Sequence, residues 1–142
     1  MELPWEKEFF DYIIIGNELS CIRQPNIVLN KLKKYIKKDR HIIVSAHNVK
    51  HYSVILPLIL NDEFTYSDSG ILDETYSKMY TATELRNLLI ESGYNLEIMK
   101  YTQRSKPDEE IREKLEKVMS ALDINNRETF FAYQYIIKAE CN

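Results

Sequence analysis

The stretch from Phe10 to His51 constrains the fold more than any other part of the sequence, because two short apolar runs flank a helical pattern. The first run, Tyr12 to Ile15, contains no charged residue and ends at Gly16. Such a run is typical of a strand that is covered on both faces, as in a parallel sheet. The second run extends from His41 to Ser45. The connection is long enough for a right-handed crossover, so the sequence predicts a parallel strand–helix–strand unit.

A helix is predicted between the two strands. Pro25 suits the first turn of a helix, where a missing amide hydrogen leaves no intrahelical bond unmade. Apolar residues then recur at helical spacing and form one stripe, which consists of Val28, Leu29, Leu32, Tyr35 and Ile36. Residues 17–24 are polar and predict a loop. Asp39 lies in the turn before His41, and we expect it to adopt a left-handed conformation.

The rest of the chain alternates helical, loop and strand patterns, and we expect residues 1–142 to form one domain. The predicted elements are a helix from Tyr52 to Leu60 distorted by Pro57, a long loop from Asn61 to Tyr80, a helix capped by Thr81 and ended by Gly93, a strand from Asn95 to Gln103, a helix opened by Pro107, and a strand from Glu128 to Glu140. A long loop without periodicity in a compact domain is often a lid or a binding segment.

Composition and charge argue against several classes of function. The formal net charge of −3 provides no basic surface for nucleic acid. The longest apolar run, Val54 to Leu60, is interrupted by Pro57 and is too short to span a bilayer. The chain begins with a short acidic segment, which argues against a signal peptide. The two cysteines lie far apart, as expected in a reducing compartment. We therefore expect a cytoplasmic protein with no nucleic-acid and no membrane partner.

Two segments carry a resemblance to a known enzyme family. They are FDYIIIGNELSCIRQPNIVLNKLKKYIKKDRHIIVSAHNVKH, residues 10–51, and DSGILDETYSKMYTATELRNLLIESGYNLEIMKYT, residues 68–102. Both resemble the C-terminal half of a class I S-adenosylmethionine-dependent methyltransferase of bacterial type. In that family the fourth strand ends in a G-D-x-L-E-H-type loop, and a later segment follows the pattern D-x-G-I-L-D-x-T-H-x-R-F-F-T. The matched segments together cover most of the chain.

The resemblance implies a partial Rossmann-like α/β sheet of about four strands with flanking helices. It also implies that the last strand inserts antiparallel beside the strand at His41. The family begins with a strand, a glycine-rich turn, a helix and a second strand, which hold the cofactor S-adenosylmethionine. This sequence has glycine only at positions 16, 70 and 93, so it contains no G-x-G turn. Residues 1–9 are too few to supply the missing elements, and we expect a truncated fold without its cofactor half.

The resemblance also assigns candidate site residues, in loops at the carboxyl ends of strands where open α/β sheets bind ligands. On the cofactor side it implies Gly16, Asn17, Glu18 and Leu19. On the substrate side it implies Asn48, His51, Asp73, Thr75 and Tyr76. The sequence departs from the family pattern at Asn17, where an amide replaces a carboxylate, and at Tyr76, where a phenol replaces a histidine. The alternatives are solvated or hydrogen-bonding loops and, at Asp73, a structural turn capped by its carboxylate.

Metal binding and nucleophilic catalysis have little support in the sequence. His47 and His51 are four residues apart, which is the spacing of two metal ligands on one helical face. They follow a predicted strand, however, and no third ligand is evident, so we expect no metal. Cys21 has only Arg23 as a neighbouring cation and is expected to be a structural thiol. We assign no catalytic residue from the sequence.

Three functional hypotheses follow. In the first, the chain is an assembly or binding module, because loss of the cofactor half uncovers the edge strand Tyr12 to Ile15, and natural proteins seldom leave such an edge unpaired. We expect that edge to pair with its own copy, as a homodimer, or with a complementary chain. In the second, the chain is a methyltransferase whose cofactor half is supplied by another chain or lies outside this sequence. The third is a gene remnant that still folds, which the sequence does not separate from the first.

Overall fold

The computed structural model describes residues 2–142. Four strands and four helices follow one another along the chain, and their bounds are β1 Phe10–Ile15, α1 Pro25–Leu32, β2 Ile36–His47, α2 Tyr52–Asn61, α3 Ala82–Glu91, β3 Tyr94–Thr102, α4 Glu109–Ala121 and β4 Gln134–Cys141. Two short 3-10 helices, Asn17–Cys21 and Arg127–Phe130, lie in the connections. Among the described residues, no helix is both long enough and apolar enough to cross a membrane.

The strands form one mixed sheet in the order β1-β2-β4-β3. Strands β1 and β2 pair in parallel, with Tyr12 opposite His41, so the predicted strand–helix–strand unit is confirmed. Strand β4 lies between β2 and β3 and is antiparallel to both. The predicted α/β architecture with an inserted antiparallel last strand is therefore confirmed.

One boundary in this unit differs from the prediction. The helix ends at Leu32, and Ile36 begins β2, whereas the sequence predicted a helical stripe that continued through Tyr35 and Ile36. Ile36 pairs with Phe10 of β1. Strand β2 therefore begins five residues before the predicted start at His41. The strand register shifts between Phe10 and Tyr12. Asp39 has the predicted left-handed backbone conformation, with φ of 57°. The cross-strand pairing of Ile36 therefore overrides its helical spacing.

The last strand is also shorter than predicted. It begins at Gln134, and residues 127–130 of the preceding segment form a 3-10 helix. Helix α4 begins after Asp108, whose carboxylate accepts a hydrogen bond from the Ile111 amide at 2.9 Å, just beyond the predicted start at Pro107. The predicted helix that contains Pro57 is present as α2, and the long irregular segment that follows it is also as predicted.

Helices α1 and α3 cover one face of the sheet. Leu29 of α1 and Leu85 and Leu89 of α3 are fully buried against it. The buried strand residues in this core are Ile36, Ile42, Val44, Ala46, Tyr94, Tyr135, Ile137, Ala139 and Cys141. Helices α2 and α4 instead pack on each other in a second apolar cluster that contains no strand residue.

The opposite face, which we call the open face, lacks such a layer among residues 2–142. Ile14, Ile43, Lys138 and Ile98 are successive cross-strand partners and form one row across this face. Ile14 is 72% exposed and Ile98 is 47% exposed. The prediction that the Tyr12–Ile15 strand is covered on both faces is therefore wrong, because helices pack against only one face.

Candidate functional site

The candidate site lies beyond the carboxyl ends of β1 and β2. Gly16 follows β1, and His47 ends β2. Because β4 is antiparallel to β2, its first residue Gln134 pairs with His47 and lies at the same end of the sheet. The long loop returns to this end through Tyr80, which bridges Asn48. Four separate parts of the chain thus meet at one edge.

The predicted cofactor loop lies at this edge and is tied to β4. The Gln134 side-chain amide donates to Asn17 Oδ1 at 2.9 Å and to Ser45 Oγ at 3.3 Å. The Glu18 carboxylate lies against Gly16, where a Cβ atom would come within 2.7 Å of Glu18 Oε2. The polar side chains of Asn17 and Glu18 thus both lie at this edge.

Leu19 does not share that position. Its side chain is fully buried in the core with Leu29 and Val44. A side chain in the core anchors the loop rather than contacting a ligand. Of the four residues predicted on the cofactor side, Leu19 is the one that the structure separates from the edge; the cofactor role of the other three stays a prediction.

Tyr76, which was predicted on the substrate side, lies beside His47 at this edge. His47 Nδ1 and the Tyr76 hydroxyl share a hydrogen bond of 2.9 Å. Burial lowers the pKa of His47, and the Arg104 guanidinium acts in the same direction. Burial also raises the pKa of Tyr76 to about 12. Both groups are therefore neutral near pH 7, and the pair offers one donor and one acceptor to a ligand.

Asp73 and Thr75 form a local turn beside this pair. The Asp73 carboxylate accepts from the Thr75 hydroxyl at 2.6 Å and from the Thr75 amide at 2.8 Å. These hydrogen bonds lower the pKa of Asp73, so the carboxylate is charged. The geometry corresponds to the structural alternative considered for this segment, in which the side chain caps a neighbouring amide.

Asn48 and His51 occupy buried structural positions. Asn48 is fully buried, and its side-chain amide donates to the carbonyls of Thr129 and Ala132 at 2.7 Å each. His51 is 3% exposed, and its Nδ1 accepts from the Ser53 amide at the start of α2. These contacts use the side-chain amide of Asn48 and Nδ1 of His51, whereas Nε2 of His51 is buried without a hydrogen-bond partner among the described residues. A direct role for either residue in substrate binding stays a prediction.

Tyr133 and Arg104 belong to the site and were not singled out from the sequence. Arg104 Nη1 donates to the Tyr133 hydroxyl at 2.8 Å. The Tyr133 ring meets the rings of His47 and His51 edge-on, with centroids 5.1 and 5.4 Å away. The position of Tyr133 follows only from the antiparallel insertion of β4, which brings its start to the carboxyl edge of β2.

The site therefore combines a neutral imidazole and phenol with one guanidinium and one carboxylate. These groups are suited to orient a polar ligand, and His47, with its lowered pKa, is able to accept a proton. The pair His47 and His51 is not joined by a third potential metal ligand among the described residues. Each imidazole instead has a partner of its own, Tyr76 and Ser53.

Comparison with known proteins gives structural neighbours and no relative in sequence. No protein-family model matches the chain, and no curated protein matches it in sequence. A SAM-dependent methyltransferase from Archaeoglobus fulgidus superposes with a TM-score of 0.57 and 17% identity, over 95% of this chain and 61% of its own. A possible histamine N-methyltransferase from Thermotoga maritima gives a TM-score of 0.62 and 11% identity, over 99% and 59%. A putative methyltransferase from Bacillus halodurans gives 0.57 and 12%, over 97% and 67%.

These neighbours establish a methyltransferase-like, Rossmann-like fold for the chain. Nearly all of this chain superposes on them, whereas it spans only about three-fifths of the length of the first two, at 61% and 59%. Identities of 10–17% carry the fold and not the activity.

Proposed function

We propose that this chain is an assembly module of methyltransferase-like fold, which pairs with a second copy of itself through the free edge of β1. We also propose that the isolated chain does not hold S-adenosylmethionine. The observation that supports the first statement most directly is that β1 is an edge strand with its open-face side chains Tyr12 and Ile14 exposed, at 52% and 72%.

The β1 edge has the features of a pairing surface. Among residues 2–142 its backbone pairs only with β2, so the amides and carbonyls on its other side have no strand partner there. Burying one isoleucine side chain of this kind contributes roughly 1.5–3 kcal/mol, so pairing that covers Ile14 in both copies is favourable.

The charges beside the edge are compatible with a second copy. The Asp11 carboxylate lies 3.0 Å from Lys37 Nζ and 3.3 Å from Arg40 Nε. The one acidic side chain of β1 is therefore paired with cations. Two β1 strands related by a two-fold axis run antiparallel, and the same apolar patch then meets itself. A complementary chain that carries the rest of the fold is the other occupant that the experiment distinguishes.

The test is the molar mass of the purified chain, measured by light scattering after size-exclusion chromatography at micromolar concentration. We expect twice the chain mass of 16.9 kDa. Ile14→Lys is expected to give the monomer, because it places a charge in the paired edge. Ile98→Lys is the matched control, since it alters an exposed isoleucine on the opposite edge strand, and it is expected to remain dimeric. A monomeric wild-type chain would exclude self-pairing and leave the complementary chain as the occupant.

A second candidate function is methyl transfer with a cofactor half supplied by another chain or lying outside this sequence. The polar cluster of His47, Tyr76, Tyr133 and Arg104 favours it, because a purely structural module has no need of a neutral imidazole at a ligand-binding edge. This function predicts that S-adenosylmethionine binds only when the complementary half is present. Binding that is absent with and without that half would contradict it.

A further inference from the structure

A second polar cluster lies on the open face, away from the carboxyl edge. His41 of β2, Glu97 of β3 and Glu140 of β4 each direct a potential ligand atom to one place, and these atoms all lie within 4.8 Å of one another. Among the described residues this is the one group of three or more such side chains close enough to hold a metal ion. It uses none of the residues of the candidate site.

The sheet register brings the three side chains together. His41 and Glu140 are directly opposed in the β2–β4 pair, where Cβ atoms are about 5 Å apart. In the β3–β4 pair, Leu96 and Ile98 have partners, whereas Glu97 between them has none. Such a bulge turns a side chain away from its regular direction. The Glu97 carboxylate thereby reaches His41, with 2.9 Å between Oε1 and Nε2.

The imidazole is held in place on a central strand. The Tyr12 ring stacks on the His41 ring with centroids 5.6 Å apart and 20° between planes. The His41 side chain is only 13% exposed. One imidazole nitrogen with two carboxylates is a donor set that suits zinc and neighbouring divalent transition metals, whereas magnesium and calcium prefer oxygen ligands alone.

We propose that His41, Glu97 and Glu140 bind a divalent transition metal ion, with zinc as the best match. The metal replaces the proton that His41 Nε2 and Glu97 now share, and Glu140 supplies the third ligand. The Lys138 ammonium, 3.2 Å from Glu97 Oε2, is the cation that balances this charge without metal and competes with it. His41 Nδ1 is buried without a hydrogen-bond partner, and it must carry the ring proton when Nε2 binds metal. We therefore expect micromolar rather than nanomolar affinity.

The experiment is a titration of the full chain with Co²⁺, followed by visible absorption, and displacement of Co²⁺ by Zn²⁺. We expect one site per chain with micromolar Kd, and no displacement by Mg²⁺. His41→Gln and Glu97→Gln are each expected to weaken binding at least about tenfold. Lys138→Met keeps all three ligands and removes the competing charge, so it is expected to tighten binding about two- to fivefold.

Two controls separate this site from adventitious binding. Glu91→Gln removes an exposed carboxylate on α3, and Cys21→Ser removes the exposed thiol; both are expected to bind as the wild type does. Circular dichroism confirms that each variant is folded. The proposal would be overturned by any of three results: binding weaker than millimolar, equal binding by the wild type and Glu97→Gln, or no gain in affinity with Lys138→Met. The cluster would then be an ion-pair network that joins three strands.

Discussion

At the residue scale, burial keeps the imidazoles of His47 and His51 and the phenol of Tyr76 neutral near pH 7. His47 and His51 both have pKa values lowered by burial, and burial raises the pKa of Tyr76 to about 12. Asn48 lies beneath them and joins the end of β2 to the segment before β4 through two carbonyls. The candidate site therefore rests on a layer of side chains whose hydrogen bonds determine its shape.

Replacing Asn48 tests this supporting layer. Asn48→Ala leaves the Thr129 and Ala132 carbonyls and the Lys50 amide without their side-chain partner. We expect the free energy of unfolding in urea to fall by about 2–3 kcal/mol. Asn87→Ala, at an exposed position of α3, is the control and is expected to change it by less than about 0.5 kcal/mol. Equal effects of the two substitutions would contradict the role assigned to Asn48.

His51 gives the fold a specific pH dependence. Burial lowers its pKa to about 4 from an ordinary 6.5, so between these values the unfolded chain binds a proton that the folded chain does not. The free energy of unfolding therefore has its full value above about pH 6.5 and decreases as the pH falls toward 4. The contribution of His51 to this decrease is at most about 3 kcal/mol. Urea unfolding at a series of pH values measures the slope.

The matched variant is His51→Asn, because asparagine also caps a helix start but does not titrate. We expect a shallower slope in this variant between pH 6.5 and 4. Some slope is expected to persist, because the pKa of His47 is lowered as well. A variant with the same pH dependence as the wild type would show that His51 takes up its proton in the folded state.

At the element scale, local signals located the elements well and their ends less well. Pro25, Thr81 and Gly93 mark the start of α1, the start of α3 and the turn after α3 as predicted, because each acts within one helical turn. The end of α1 and the start of β4 were misplaced. Both depend on cross-strand pairing, such as Ile36 with Phe10, which the periodicity of one segment does not contain.

Gly93 joins α3 to β3 with φ of 78°, a conformation that strains side chains other than glycine. We expect Gly93→Ala to lower the free energy of unfolding by about 1–2 kcal/mol. Gly93→Asn is expected to cost less, since asparagine tolerates the left-handed region. A Cβ atom there meets the flexible Lys33 ammonium in both variants, so the contact is matched. Equal losses, measured by urea unfolding, would assign the effect to Lys33 instead of φ.

At the scale of the whole molecule, the chain is a methyltransferase-like sheet with helices packed on one face. The family resemblance implied a partial Rossmann-like sheet of about four strands and the antiparallel insertion of the last strand beside β2, and the observed sheet has both features. It did not predict Tyr133 and Arg104 at the site, or His41 near Glu97. These groups are 29 and 56 residues apart, and only the register of β4 brings them together.

The proposed pairing and the proposed loss of cofactor binding concern the same edge. The edge of β1 is where, by the family resemblance, the cofactor half would pair, and among residues 2–142 that edge has no strand partner. Asn17 and Glu18 are the predicted cofactor contacts that remain at the carboxyl edge, and Asn17 already accepts a hydrogen bond from Gln134. We propose that these few groups do not suffice to hold the cofactor.

The most direct test is a calorimetric titration of the purified chain with S-adenosylmethionine and with its demethylated product. We predict no heat of binding for either ligand at millimolar concentration, because the chain lacks a glycine-rich turn and the strands around it. Binding of either ligand at micromolar strength, which corresponds to about 8 kcal/mol, would contradict the account. That result would mean that the chain, alone or as a dimer, forms a complete cofactor site.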